Sequence, residues 1–322
     1  MKHILISRTD AIGDVVLTLP MCGIIKATYP EYKVSFLGNS YTKEVIEAST
    51  HIDDFVNVDL WTSKSDENVI EELKELKVDA IIHVFPNKKI ASLAQRAGIK
   101  ERIGTRNRIF HWLTCNRLID LSRRNSSLHE AQLNLRLLKP LNIANQYKVS
   151  ELHRFYGFSH IAPLTADLKT LLSDTKFNLI IHPKSRGSAM EWSLSHYSDV
   201  IKKLDPEKFK IFISGSDRDN NVLTDWIKEH KDRVTDVTGK FTLKQFLEFV
   251  NCSDGLLASS TGPLHLAAAL GIHALGLYAN SASVNASRWC PVGNKAEYLE
   301  AKSQDVNLIN PDIVTDRILN WI

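Results

Sequence analysis

The chain has 322 residues, is 43% hydrophobic and 24% charged, and carries a formal net charge of +3. That is room for two domains of ordinary size, and the composition is that of a soluble globular protein rather than a disordered or disulfide-dense one. So small a net charge says little by itself about partners. Cys22, Cys115, Cys252 and Cys290 are scattered, with no pair at metal-ligand spacing, so reduced thiols in a cytosolic setting are expected. Arg8 and Asp10 break the first apolar run too early for a signal peptide. The apolar stretch 264–279 is interrupted by His265, Gly271 and His273, so no membrane span is expected there. Any contact with a membrane would be made from its surface.

Apolar runs alternate with amphipathic stretches along the whole chain. In the first half, strands are predicted at His3–Ser7, Lys33–Leu37, Phe55–Val58 and Asp79–Val84, with helices over 14–28, 42–49, 66–76, 89–97 and 128–141. In the second half, strands are predicted at Asn178–Ile181, Lys210–Ser214, Val234–Asp236, Gly255–Ala258 and Ala274–Leu277. Helices there fit 195–204, 218–230, 242–250, 263–270 and 312–321. Alternation in two blocks predicts two doubly wound α/β domains. The weakly periodic stretch from about Lys148 to Thr175 is the expected linker. Ligands of open α/β sheets sit beyond the carboxyl ends of the strands, so the loops after strands are the candidate sites.

The loop after the first strand contains Gly13 and Asp14. Asp14 is either a helix cap or a carboxylate held ionised near a helix start, suited to act as a general base. No Gly-x-Gly-x-x-Gly follows the strand, so a dinucleotide fingerprint is absent. Late in the chain, Leu257 to Ser259 run into Ser260-Thr261-Gly262-Pro263-Leu264-His265. This is a strand end, a tight loop and a helix N-terminus, where free N–H groups and the helix dipole favour phosphate. Thr261 is expected to cap that helix, and Gly262 to let a ligand approach the backbone. His265 is either a structural histidine or a donor to the phosphate. The expected guest is a nucleotide diphosphate, with no metal and no cofactor.

Gly13-Asp14 followed by Thr18-Leu19-Pro20, with Thr261-Gly262-Pro263-Leu264-His265-Leu266-Ala267-Ala268-Ala269-Leu270-Gly271 in the other half, resembles the heptosyltransferase family, glycosyltransferase family 9. The resemblance implies a GT-B fold, two facing Rossmann-like domains with a cleft between them. It implies an acceptor-binding domain over 1–160 and a nucleotide-sugar-binding domain over 161–322. It also implies inverting, metal-independent transfer of a sugar, by family default heptose from ADP-heptose, onto a lipopolysaccharide core or related anionic glycan. Asp14 matches the expected base. Two other readings stay open: a GT-B nucleotide-sugar epimerase, and a non-catalytic nucleotide-sugar binder.

The resemblance also marks the loop His182 to Trp192. Family members commonly carry a cation shortly before the Trp, facing the donor phosphates; Met190 stands there in this chain, and Lys184 and Arg186 are the nearby cations. Trp192 either stacks on the donor or is structural. Gly215 follows the next strand and either admits the base or ribose or forms an ordinary turn. Ser260 stands where the family usually has Asp or Asn. Arg288-Trp289 either floors the site or packs a loop.

Residues 88–124 hold ten basic and two acidic side chains. This is either a solvated face or a surface for an anionic partner, with Arg102, Arg106 and Arg108 as acceptor contacts. Phe110, Trp112 and Leu113 lie within the basic stretch, which suits an interface. No nucleic-acid motif accompanies the charge. The expected location is cytoplasmic, peripheral on the inner face of the inner membrane.

Overall fold

A computed structural model describes residues 2–123, 126–185, 187, 189–281 and 284–322. The chain divides into two compact units, residues 1–160 and 161–322.

In the first unit, the described residues form strands β1 His3–Ser7, β2 Lys33–Gly38, β3 Asp54–Asn57, β4 Ala80–His83, β5 Glu101–Thr105 and β6 Arg117–Ile119. The helices are α1 Ile12–Val16, α2 Leu19–Thr28, α3 Lys43–Glu47, α4 Asp66–Glu75, α5 Lys88–Arg96, α6 Ile109–Thr114 and α7 Glu130–Leu135. All sheet pairings are parallel, in the order β3-β2-β1-β4-β5-β6. That is the nucleotide-binding doubly wound order, with its switch point between β1 and β4. Strand residues at alternate positions face each helical layer: Leu5, Leu37, Val56 and Ile81 pack against Val69, Ile70 and Leu73 of α4 and Ile90 and Leu93 of α5.

The helix predicted over 14–28 is two helices. Thr18 and Met21 donate to Val15 O and Thr18 O, closing tight turns between them, and Pro20 stands in the first turn of α2, where its missing N–H costs nothing. The expected linker is partly folded onto the first unit. A 3₁₀ segment, Val149–Phe155, packs on α2 so closely that a Cβ at Gly23 would stand 2.2 Å from Phe155 O. Phe158 bridges Ser49.

The second unit repeats the plan. Its strands are β7 Phe177–His182, β8 Phe209–Ile213, β9 Val234–Asp236, β10 Gly255–Ser259, β11 His273–Tyr278 and β12 Ala296–Glu300. Its helices are α8 Ala166–Lys169, α9 Leu194–Lys203, α10 Asn220–Glu229, α11 Leu243–Asn251, α12 Gly262–Ala269, α13 Ala286–Trp289 and α14 Pro311–Leu319. The order β12-β11-β10-β7-β8-β9, again all parallel, puts the switch point between β7 and β10. One sheet face packs on α9 and α14 through Leu179, Ile181, Ile211 and Leu257. The other packs on α11 and α12 through Ile180, Phe212, Leu256 and Ala258.

Candidate active site

The loops after β1 and β4 in one unit, and after β7 and β10 in the other, leave the switch points where such sheets bind ligands. In the first unit this edge carries a buried charge cluster. Arg8, 3% exposed, ends β1 and donates its Nε to Asp10 Oδ1 at 2.7 Å. Its Nη2 bonds Asp14 Oδ1, and its Nη1 lies 3.4 Å from both Glu130 Oε1 and Asn134 Oδ1. Arg123 supplies a second cation, with Nε 2.8 Å from Glu130 Oε1 and Nη2 3.0 Å from Asn134 Oδ1. Asn134 then donates to Leu17 O and Thr18 Oγ1, tying α7 to the break between α1 and α2.

Asp14 is not the cap of its helix: Ala11 holds that position, and Asp14 lies in the first turn. Burial pushes its carboxyl up; Arg8 pulls it down, Asp10 and Glu130 push it up, and Arg123 pulls it down, for a net value of about 6. Asp10 is raised as well, chiefly by burial and against the pull of Arg8. A carboxylate near pH 6 is a stronger base than an ordinary aspartate and is still ionised at neutral pH. Arg8, Asp10, Glu130 and Arg123 were not singled out from the sequence as site residues. The available signal was Arg8 and Asp10, two charges interrupting a buried strand end; Glu130 and Arg123 are distant in sequence and carry no such mark.

In the second unit, Thr261 occupies the N-cap position of α12 but makes no side-chain cap bond. It is 5% exposed, and its Oγ1 has no hydrogen-bond partner among the described residues. Its backbone dihedrals are extended, φ −141° and ψ 163°, and the hydroxyl does not accept from the helix N–H groups. The expected cap is therefore corrected: the hydroxyl is left over, and a buried unsatisfied hydroxyl is costly unless something else meets it. Pro263 removes one donor from the first turn, and His265 N–H bonds Thr261 O. The first-turn N–H groups left without an intrahelical acceptor are those of Gly262 and Leu264. His265 itself is buried. Ser260 hydrogen-bonds the Tyr278 phenol, whose hydroxyl donates to Trp289 O at 2.6 Å.

On the β7 side, Lys184 pairs with Glu191, which also accepts from Ser185 N–H at 2.7 Å. Burial raises the Glu191 carboxyl, but Lys184 and Ser185 outweigh it and hold it below the usual range. Arg186 lies outside the described residues, and Met190 is exposed. Trp192 is 1% exposed and donates to Ile309 O, so it is structural. A Cβ at Gly215 would meet Thr238 Cγ2 at 3.0 Å and Asp219 Cβ at 3.3 Å. Arg288 stacks over its neighbour Trp289 at 4.9 Å. Among the described residues, no three His, Cys, Asp or Glu side chains gather as a metal site.

Of the three expected acceptor cations, Arg102 bonds the carbonyls of Thr114 and Ile99. Arg106 and Arg108 are exposed.

A sequence model for glycosyltransferase family 9 (heptosyltransferase) matches residues 67–308. The chain is 28% identical over 307 residues, 93% of its length and 88% of the other's, to a Haemophilus influenzae protein named as a candidate glycosyltransferase. Among solved structures, a family 9 glycosyltransferase from Veillonella parvula superposes with a TM-score of 0.80, covering 99% of this chain and 97% of that one at 19% identity. The Escherichia coli ADP-heptose lipopolysaccharide heptosyltransferase II gives 0.76, covering 100% and 98% at 17% identity. The chain belongs to glycosyltransferase family 9. It is a glycosyltransferase with the GT-B fold of two Rossmann-like units.

Proposed function

We propose that this enzyme transfers heptose, with inversion and without a metal ion, from ADP-heptose to the core of lipopolysaccharide or a related anionic glycan. The first unit takes the acceptor and the second the nucleotide sugar. The observation that carries this reading is Asp14, a half-buried carboxyl raised to about 6 at the switch point of the first unit. An acceptor hydroxyl attacks the anomeric carbon as Asp14 takes its proton, and the bond from that carbon to the diphosphate oxygen breaks. The departing nucleotide diphosphate carries the charge away and needs donors. Gly262 N–H, Leu264 N–H, the Thr261 hydroxyl and His265 at the start of α12 fit that need, with Ser260 and Gly215 nearer the sugar and base. Arg106 and Arg108 are the acceptor-side cations. Asp14 lies outside the matched residues 67–308, so its role rests on the geometry. The chemistry fits the relative in E. coli whose name includes ADP-heptose and lipopolysaccharide. A place on the cytoplasmic face of the inner membrane belongs to the same reading.

Incubation with ADP-heptose and a core acceptor tests it. Transfer yields a new glycoside and ADP; an isomerised donor with no glycoside, or an untouched donor, refutes the proposal. Thr261→Val tests the donor side. The unsatisfied hydroxyl contributes nothing to folding, so unfolding stability should be unchanged or slightly higher. If the hydroxyl meets the diphosphate, a charged hydrogen bond of about 1.5–3 kcal/mol is lost, and donor affinity should fall roughly ten- to hundredfold by calorimetry. Lower stability with intact affinity would assign Thr261 to the fold alone. Replacing Lys184 and Arg186 together by Ala should also weaken donor binding, by about tenfold for one charge-assisted contact; unchanged affinity removes both from the site.

A further inference from the structure

Helix α6 is built inside out. Ile109, Trp112 and Leu113 stand at i, i+3 and i+4, one face of a helix, and are 86%, 60% and 77% exposed. The face turned to the protein holds polar His111 and Thr114, both buried. His111 Nδ1 accepts from Thr105 N–H at 3.0 Å, and Thr114 Oγ1 donates to Phe110 O. Folding therefore leaves the apolar side of this helix outside. The Trp112 indole N–H is satisfied by Arg106 O at 2.9 Å, so its exposed ring has no polar demand left to meet.

Cations stand at both ends of this face. Arg106 and Arg108 precede α6 and are exposed, and neither forms an ion pair among the described residues. Arg117 lies beyond its far end with Lys100 near it, where Asn116 Nδ2 donates to Lys100 O; among the described residues Arg117 makes one long ion contact, 3.8 Å to Glu101. Arg106 also lines a cavity of about 720 Å³ beside the edge strand β6, with Arg136, Lys139, Leu118, Leu121 and the single carboxylate Asp120. An apolar strip bearing a Trp and rimmed by exposed cations matches the boundary of an anionic bilayer, where apolar side chains enter the acyl region and cations meet lipid phosphates. No helix among the described residues is long and apolar enough to cross a membrane.

We propose that the α6 face is a membrane-docking surface, in which Ile109, Trp112 and Leu113 insert into a bilayer and Arg106, Arg108, Lys100 and Arg117 bind anionic lipid headgroups. The sheet is parallel, so α6 starts at the same sheet edge as the Asp14 loop. It lies two strands away from β1, about 10 Å at ordinary strand spacing. Docking there would hold a lipid-anchored acceptor beside the base. That purpose rests on the proposed glycolipid acceptor; the docking itself needs neither donor nor acceptor.

The test is flotation of the full chain with vesicles of phosphatidylcholine alone, or with roughly one-third phosphatidylglycerol. The wild type should bind the anionic vesicles at least tenfold more tightly, and less tightly as salt is raised. Replacing Ile109, Trp112 and Leu113 together by Ser should cut that binding at least tenfold. All three are exposed, so its thermal unfolding and its transfer to a detergent-free, water-soluble acceptor should be unchanged. Trp112→Phe should keep binding but lose part of the fluorescence shift on vesicle addition. Equal binding by the wild type and the triple variant overturns the proposal. So does a wild type that ignores vesicles but self-associates through this face, seen as a dimer that the triple variant loses. Because transfer and vesicle binding are measured separately, either reading can fail without the other.

Discussion

Asp14→Asn is expected to lower the rate of sugar transfer by about a thousandfold, the middle of the range for a general base, while donor affinity stays within about twofold. The substitution keeps the shape and removes the proton acceptor. In the wild type, kcat/KM should rise with pH through about 6, because protonating Asp14 below that value removes the base; the variant's residual rate should lack this limb. The same titration acts on stability. Asp14 is raised in the folded state from 3.8 to about 6, so the folded protein holds this proton more tightly than the unfolded chain. The stabilisation is full below about 4 and is lost as pH rises through about 6. Urea unfolding at pH 4 and pH 7 should therefore show the Asn variant gaining ground on the wild type at the higher pH. A variant that keeps wild-type transfer places the base elsewhere.

Much of this arrangement was readable in the sequence. Buried parallel strands announce themselves as apolar runs, which is why His3–Ser7 agrees with the structure residue for residue; Val234–Asp236 agrees as well, although it is a half-buried edge strand. The strands that escaped are β5, β6 and β12, with sequences Glu-Arg-Ile-Gly-Thr, Arg-Leu-Ile and Ala-Glu-Tyr-Leu-Glu. Two of these are sheet edges and all carry charged residues in short runs, so neither period nor apolarity marks them. The helix predicted over 128–141 is α7 followed by a 3₁₀ segment, Arg136–Leu141. Pro140 lacks the N–H that an α-helical turn would require there, and the tighter segment ends at Asn142, in the left-handed region with φ 57°.

The candidate site was legible only where a polar group is local to its loop. Gly13-Asp14 and Thr261-Gly262 each lie at the start of the first helix after a strand. Arg8 and Asp10, the leading charges on Asp14, are local, but Glu130 and Arg123 lie more than a hundred residues away, and only the fold brings them to the end of β1. The Thr261 hydroxyl shows the opposite limit. Its identity suggested a cap, but its extended backbone and the helix start at Gly262 leave it unbonded, which no spacing rule reveals. Helix α6 shows a third limit: its apolar residues at i, i+3 and i+4 have the ordinary pattern of a core-facing helix, and only the structure shows that this face points outward.

Arg8→Ala should be the most damaging single substitution in the first unit. Arg8 is the shared cation of Asp10, Asp14 and Glu130, and its own charge is held firmly: burial works against it, but the three carboxylates raise its pKa above the ordinary value. Without it, the buried Glu130 and the half-buried Asp10 and Asp14 lose their shared cation, and Arg123 stands at ion-pair distance from Glu130. Removing one partner of a buried pair costs about 3–5 kcal/mol because the other charge is left uncompensated. Urea unfolding at neutral pH should show a loss of that order. The loss should shrink toward pH 4, where the carboxylates of the variant take up protons and the repulsion is relieved. Arg8 also pulls the Asp14 carboxyl down, so its removal should move any residual acidic limb of the transfer rate above pH 6, an effect that a purely structural residue would not produce. Arg8→Lys should keep part of the stability but not the whole, since an ammonium cannot bridge three acceptors in the fixed fork of a guanidinium. A neutral-pH stability within about 1 kcal/mol of wild type for Arg8→Ala, or an acidic limb that does not move, would mean that the carboxylates are not organised around this residue.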